Sequence, residues 1–183
     1  RQCYEAGINV TSLPGACACI TALTMSGQPT RRFAFEAFLP YDKKERAQIL
    51  ENLRNETRTI IIYEAPHHLK KTLKECREYL GNRNMTVCKE LTKRYEQKRK
   101  STLDEMIAYY EENEPRGEYV LIFEGKSLQE LKEEKQQEWN QLTVQEHMEH
   151  YLEKGMDKKS AMKQVAKDRG VSKRNIYQEL LKK

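Results

Sequence analysis

No apolar run in the 183 residues approaches the ~20 that a membrane-spanning helix needs, and no secretory leader is visible. Cysteine is sparse and odd in number: Cys3, Cys17, Cys19, Cys76 and Cys88. No pair of them has zinc-ligand spacing backed by a second pair, which argues against a structural zinc module and against a disulfide scaffold. Reduced thiols and a cytoplasmic setting are expected. An initiating methionine is also missing. Arg1–Ala6 reads as the end of an amphipathic helix with Gly7 as its stop, so the chain is expected to continue a longer protein upstream.

What is present is a chain of 38% apolar and 33% charged residues with a net charge of +5, enough for one ordinary core plus a heavily solvated part. The small positive excess leans towards polyanions without proving a partner. Strand-like and helical stretches alternate from Ile8 to Phe123. Strands are expected at Ile8–Leu13, at Arg32–Phe38 with Phe33, Phe35 and Ala37 on one face, at Thr59–Glu64 as the central strand, at Met85–Lys89 and at Glu118–Phe123. Helices are expected at Ala16–Ser26, Lys43–Asn55, Leu69–Leu80 and Thr102–Glu112. The fold class this implies is α/β, a mixed sheet layered with helices, followed by a small helical helix-turn-helix-like tail.

Residues 1–126 form the α/β domain on this reading, 127–142 a linker or surface helix, and 143–183 a basic helix-turn-helix-like domain. Charge is segregated in the tail. Residues 127–157 carry three basic and eight acidic residues, net −5, and residues 158–183 carry nine basic and two acidic, net +7. Met162, Val165 and Ala166, then Ile176, Tyr177, Leu180 and Leu181, are expected to face inward, with Ser172 capping the last helix.

Four loops interrupt the apolar pattern: Leu13–Ala18 (LPGACA), Tyr63–His68 (YEAPHH), Glu90–Arg94 (ELTKR) and Arg116–Glu118 (RGE). Two directly follow strands, and ligands in open α/β sheets collect outside the strands' C-terminal ends. Each loop alone has an ordinary explanation: a Pro-Gly turn, a satisfied Glu64–His67 network, solvated Lys93 and Arg94. The run Lys98-Arg99-Lys100 reads as an exposed basic loop, and neighbouring histidines without a third ligand do not make a metal site.

Taken in order, six segments resemble one family. LPGACACITALTMSGQP, FxFEAFLP, TIIIYEAPHHLxxTL, CKELTKRYE, STLDE and GEYVLI are similar to the second half of the ribosomal RNA small-subunit methyltransferase I family, within the tetrapyrrole methylase superfamily. The resemblance covers nearly all of residues 1–125, and the basic tail is similar to that family's C-terminal extension. Departures stand at Ala37, where the family usually has Gly; at His68 and Lys89, where it usually has Arg; and at Lys100-Ser101, where it usually has Arg-Gly.

The resemblance implies the C-terminal domain of a tetrapyrrole methylase-like fold. It also implies S-adenosylmethionine (SAM) in a cleft between two domains, the other of which lies upstream of this chain, and 2′-O-methylation of a cytidine in 16S rRNA of the 30S subunit. It places Pro14, Gly15, Ala16, Cys17, Ala18, Tyr63, Glu64, Val87, Cys88 and Leu91 at the cofactor. Catalytic candidates are Glu64, Glu90 and Lys93, the lysine acting electrostatically or with a lowered pKa. RNA candidates are Arg31, Arg32, His67, Arg94, Lys98, Arg99, Lys100, Lys158, Lys173 and Arg174. A bare half-cleft favours a homodimer. The competing reading is a nucleic-acid-binding regulator whose helix-turn-helix tail is the functional part.

Overall fold

The computed structural model describes residues 1–181, and the chain divides into two compact units, Arg1–Gly125 and Lys126 onward. In the first unit a short helix α1 (Gln2–Glu5) ends at Gly7, whose φ of +67° suits a glycine stop. Then follow α2 (Ala18–Ser26), β1 (Phe33–Phe38), α3 (Lys43–Leu53), β2 (Thr59–Glu64), α4 (Pro66–Leu80), β3 (Asn84–Lys89), β4 (Gln97–Thr102), α5 (Leu103–Glu112) and β5 (Tyr119–Phe123). The strands form one mixed sheet in the order β1-β2-β5-β3-β4. β1 and β2 are parallel, while β5 is antiparallel to both of its neighbours and β4 is antiparallel to β3. β1, β2 and β3 therefore run one way, and their C-terminal ends share one edge with the N-terminal ends of β4 and β5.

Three expectations are corrected. Ile8–Leu13 is not a strand: it pairs with no described strand, and Ile8, Val10 and Leu13 are exposed, because alternation without a ladder partner does not hold a strand. The centre of the sheet is β5, whose five residues are all buried, and β2 lies one place out. The basic run 98–100 is the edge strand β4. Its charges suit an edge, where they oppose pairing with another chain.

Both faces of the sheet are covered, which is why Ile60, Ile61 and Ile62 are all fully buried. Ile60 and Ile62 join Leu50 of α3, Leu73 of α4, Met106 of α5 and Leu121 of β5 in the larger core. Ile61 points the other way, to Cys19, Ala22 and Leu23 of α2 with Cys88, Val120 and Ile122. In β1 the expected Phe33/Phe35/Ala37 face fails. Ala34 is the buried residue, Phe35 is exposed, and the register shifts between Phe35 and Ala37. Ala37 sits at φ +53°, a left-handed conformation costing a non-glycine residue about 1 kcal/mol. Glycine, the residue usual there in the family that the sequence resembles, would not be strained.

The second unit holds α6 (Leu128–Gln141), α7 (Val144–Glu153), α8 (Lys158–Asp168) and α9 (Lys173–Leu181). Capping boxes at Ser127/Glu130 and Thr143/Glu146 open α6 and α7, and Asp157 caps α8. Residues 128–141, expected as a linker or surface helix, form α6 with none of its residues buried, and Trp139 stacks on His147 of α7 with ring centroids 3.9 Å apart. At the end of α8 the Val171 N–H donates to the Ala166 carbonyl, with Gly170 at φ +65°. The Ser172 hydroxyl accepts from the Asn175 N–H, as expected of a cap. Met162, Val165, Ala166 and Ile176 are buried as expected, but Tyr177 and Leu181 face outward. The small core supplied by α7, α8 and α9 is too little to cover both.

His147 is fully buried in this unit. Its Nδ1 accepts from Arg169 Nε at 3.2 Å, and its Nε2 lies 3.4 Å from an Asp168 carboxylate that also accepts from the Tyr151 hydroxyl. Burial, then the Arg169 charge, push its pKa down, against a smaller upward pull from Asp168. The folded unit therefore favours neutral His147. Below the ordinary value of 6.5 the unfolded chain binds the extra proton, so this contribution is present above that pH and is lost as pH falls. Urea unfolding followed by Trp139, the sole tryptophan, is expected to show a midpoint falling from about pH 7.5 to 5, and a smaller fall in His147→Phe. Equal pH profiles for the two proteins would refute this role.

Candidate active site

Why a strand buried on both faces should end in Tyr63-Glu64-Ala65-Pro66 follows from the pleat and from the helix that comes next. Tyr63 points to the α2 face, where its ring meets Phe35 and Phe38 edge-on at 4.9 and 5.6 Å. Burial pushes its phenol pKa up, against a smaller downward pull from the Cys19 backbone in the first turn of α2. Glu64 points to the α4 face and is buried. Ala65 is the N-cap of α4 and Pro66 its first residue, where a missing N–H costs nothing. His67 and His68 thus fall in the first turn of the helix, not in a loop. His67 is exposed, and its ring lies 4.3 Å from that of His68.

On the α2 side of the shared strand edge lies a cleft of 260 Å³, bounded by Ala18, Phe38, Tyr63, Leu91, Glu118 and Val120. Of the expected cofactor residues, Ala18, Tyr63, Glu64 and Leu91 line it. Cys88 is buried beneath it, among the residues packed on α2. Pro14, Gly15, Ala16 and Cys17 form the exposed, irregular approach to α2. Val87 is separated from the group. As the neighbour of Cys88 in β3 it points to the opposite face, into the core beneath α4 and α5.

Glu64 borders the cleft, but its carboxylate is engaged elsewhere. It accepts from the Thr72 hydroxyl and from the Ala65 N–H at 2.8 Å, and lies 3.9 Å from Arg46. Arg46 in turn donates to Glu75 at 2.6 Å and to Thr72 at 2.6 Å. Sequence reasoning missed Arg46, since one cation in a helix as charged as α3 gives no sign that it is buried.

Glu90 and Lys93 sit at the mouth. Glu90 Oε1 accepts from the Glu118 N–H at 2.8 Å and from Lys93 Nζ at 3.1 Å, and Lys93 also reaches Glu118 at 2.8 Å. Glu90 and Thr92 both have positive φ, +49° and +62°, so this turn carries backbone strain of the kind concentrated at functional loops. The hydrogen bonds to Glu118 and Glu90 raise the Lys93 pKa, so of the two roles expected for it, electrostatic or with a lowered pKa, the ion pairs favour the electrostatic one. Glu90 is lowered by the Glu118 N–H and by Lys93, and remains a carboxylate.

The RNA candidates scatter. Arg31 and Arg32 precede β1, at the sheet edge opposite the cleft, so topology removes them from it. Arg94 is exposed in the turn after Leu91, stacked on Tyr95 at 5.6 Å. Lys98 and Lys100 pair with Cys88 and Thr86 and so share the α2 face, whereas Arg99 pairs with Val87 and lies over Tyr109 at 3.7 Å on the α5 face. Lys158, Lys173 and Arg174 are exposed in the helical unit. Among the described residues no cluster of His, Cys, Asp or Glu is placed to hold a metal, and no helix is long and apolar enough to cross a membrane.

A sheet carrying helices on both faces, with a cleft at the strand ends walled by small and aromatic residues, is an α/β domain with its candidate site where such sheets hold ligands. The profile of the family described as Tetrapyrrole (Corrin/Porphyrin) Methylases matches residues 2–107, and the chain belongs to that family. It is 46% identical over 171 residues to the protein named Ribosomal RNA small subunit methyltransferase I of Halalkalibacterium halodurans, covering 93% of this chain and 58% of that protein. The protein of the same name from Bacillus subtilis is 46% identical over 173 residues, with 94% and 59% covered. That from Synechocystis is 40% identical over 177 residues, with 96% and 62% covered. The chain thus spans about three-fifths of the length of these curated relatives. Among solved structures, the methyltransferase CobJ superposes with a TM-score of 0.52 at 16% identity, over 67% of this chain and 53% of that one, a likeness of fold.

Proposed function

We propose that this chain carries one wall of the SAM site of a ribosomal RNA methyltransferase, acting on a cytidine 2′-hydroxyl of 16S rRNA in the 30S subunit, in the cytoplasm. The observation that carries the reading is the cleft at the α2 N-terminus. Ala18 leaves backbone exposed beside the Tyr63 and Phe38 rings, Leu91 and Val120 add apolar wall, and the Glu118 carboxylate stands at the mouth. This set fits a nucleoside bearing a cationic sulfonium and an amino-acid tail. Aromatic and aliphatic walls suit adenosine, and a carboxylate suits an ammonium or sulfonium charge. Bound there, SAM supplies an electrophilic methyl group.

Ala18, Tyr63 and Leu91 hold and orient the cofactor on this reading, and much of the rate comes from that alignment. On the same reading Glu90, kept ionised, takes the proton of a ribose hydroxyl, and Lys93 steadies the negative charge that develops. Glu64 supports the rim by fixing the start of α4 through Thr72 and Arg46. The exposed Lys158, Lys173 and Arg174 supply phosphate contacts from the helical unit, which give affinity more than sequence preference.

The test is calorimetric titration of the complete gene product that carries this chain with SAM. Saturable binding is expected, weakened at least about tenfold by Ala18→Phe, which fills the cleft, and unchanged by Ala108→Phe on the exposed side of α5. Equal affinity in all three proteins would remove the cleft from the SAM site.

A further inference from the structure

On the α5 face of the same strand edge are two adjoining hollows of 390 and 340 Å³. Both are lined by Lys89, Gln97, Tyr109 and Tyr110; Arg99 enters the first and Arg116 the second. Lys89, Arg99 and Arg116 form no ion pair with a described residue, whereas most cations of the neighbouring α4 do: Lys70, Lys71, Lys74 and Arg77 are all paired. Two carboxylates are near and both are engaged. Glu114, at the margin of the second hollow, is held by Lys70 at 2.9 Å, and Glu90 is held by Lys93 and the Glu118 N–H.

We infer that this cationic hollow is a seat for the phosphodiester backbone of single-stranded RNA, leading the strand to the methyl-transfer cleft. The inference rests on the methyltransferase reading above and adds the surface that holds its substrate.

Three observations carry it. Arg99 is set in advance: its guanidinium lies 3.7 Å over the Tyr109 ring, and stacking fixes the plane while leaving the N–H fork to meet a phosphate. The floor is rigid, because Tyr110 and Tyr119 are buried, their rings meet at 5.9 Å, and the Tyr119 hydroxyl accepts from the Arg116 N–H at 2.9 Å. That last bond ties the Arg116 backbone to the sheet. Finally, the segment 116–119 borders both sites: Arg116 and Tyr119 line the hollow, while Glu118 and Tyr119 line the cleft. A strand seated on the cations therefore needs to pass only the Glu90–Lys93–Glu118 mouth to present a ribose there. Cations outside any ion pair around a tyrosine-walled hollow suit alternating phosphates and bases better than they suit an uncharged ligand.

The experiment measures binding of a short single-stranded oligoribonucleotide to the chain by fluorescence anisotropy across salt concentrations. A parallel titration uses inorganic phosphate as competitor, and SAM binding is measured separately in the complete gene product. Arg99→Gln, Arg116→Gln and Lys89→Gln are each expected to weaken RNA binding roughly tenfold at low salt and to reduce the slope of log affinity against log salt by about 0.7. Lys43→Gln, an exposed cation on α3, is expected to change the affinity far less, and SAM affinity to be retained in all four. Urea unfolding checks that each variant is folded. If the three hollow variants bind RNA as Lys43→Gln does, the seat is wrong while the SAM site stands. If inorganic phosphate competes at full strength and RNA shows no advantage over it, the hollow is a phosphate site and the RNA path is wrong. If the parent chain holds no RNA even at low salt, both the seat and the RNA part of the functional reading fail, with SAM binding still judged separately.

Discussion

Arg46→Ala is expected to destabilise the α/β unit by about 3–5 kcal/mol, because it leaves a buried carboxylate without its counter-charge. The Arg46 and Glu64 side chains are only 9% and 5% exposed. Arg46 is also the donor to Glu75 and Thr72, so its removal strips two acceptors of a donor as well as Glu64 of its counter-charge. The comparison is Arg77→Ala, whose partner Asp104 and own side chain are 51% and 40% exposed. Exposed pairs are worth at most about 1 kcal/mol. Urea denaturation of both variants decides the matter, and similar midpoints would mean that the network is hydrated and contributes little. The consequence for function is local. Glu64 fixes the N-terminus of α4 against the end of β2, so a loosened network should also blunt the rim of the cleft. A loss of SAM affinity in Arg46→Ala at temperatures where it remains folded is the accompanying expectation.

Truncation at the middle of the sheet comes next in size. Leu121 is fully buried in β5, opposite Ile62 on one side and Val87 on the other. Leu121→Ala should cost about 2–5 kcal/mol through lost burial and the cavity left behind. Phe35→Ala, a larger truncation on the edge strand β1 at a residue 44% exposed, should cost much less. A greater loss at Phe35 than at Leu121 would contradict the strand order. Such a result would also unsettle the cleft, since β5 is the strand that brings Glu118 and Tyr119 between Glu64 and Lys89.

Period and punctuation made most elements legible. The apolar spacing of Leu103, Met106 and Tyr110 is a local signal, and α5 stands where it lies, whereas α4 starts at Pro66 and not at the expected Leu69, because a proline fits the first helical position and the two histidines after it carry no apolar period. The charged edge strand β4 was hidden because QKRKST has no apolar face to alternate. Edge strands gain their structure from one neighbour, and here β3 provides it through six paired residues. Ile8–Leu13 shows the converse, a fair strand pattern with no partner.

Within the candidate site the same division holds. Local sequence determined that β2 would end in polar residues, that ELTKR would form a turn after β3, and that the small run after Pro14 would let a helix lie close to the sheet. Those are matters of residue type and spacing along a few turns of chain. Only the tertiary structure decided which side each group serves. Pleating sends Val87 away from Cys88 and Arg99 away from Lys98, strand direction puts Arg31 and Arg32 at the far edge, and the crossing of α3 over α4 buries Arg46 against Glu64. The period of a side chain is local, but its partners come from strand order and helix packing, which depend on residues far along the chain, as the Thr86 hydroxyl bonded to the Ser26 carbonyl 60 positions away shows.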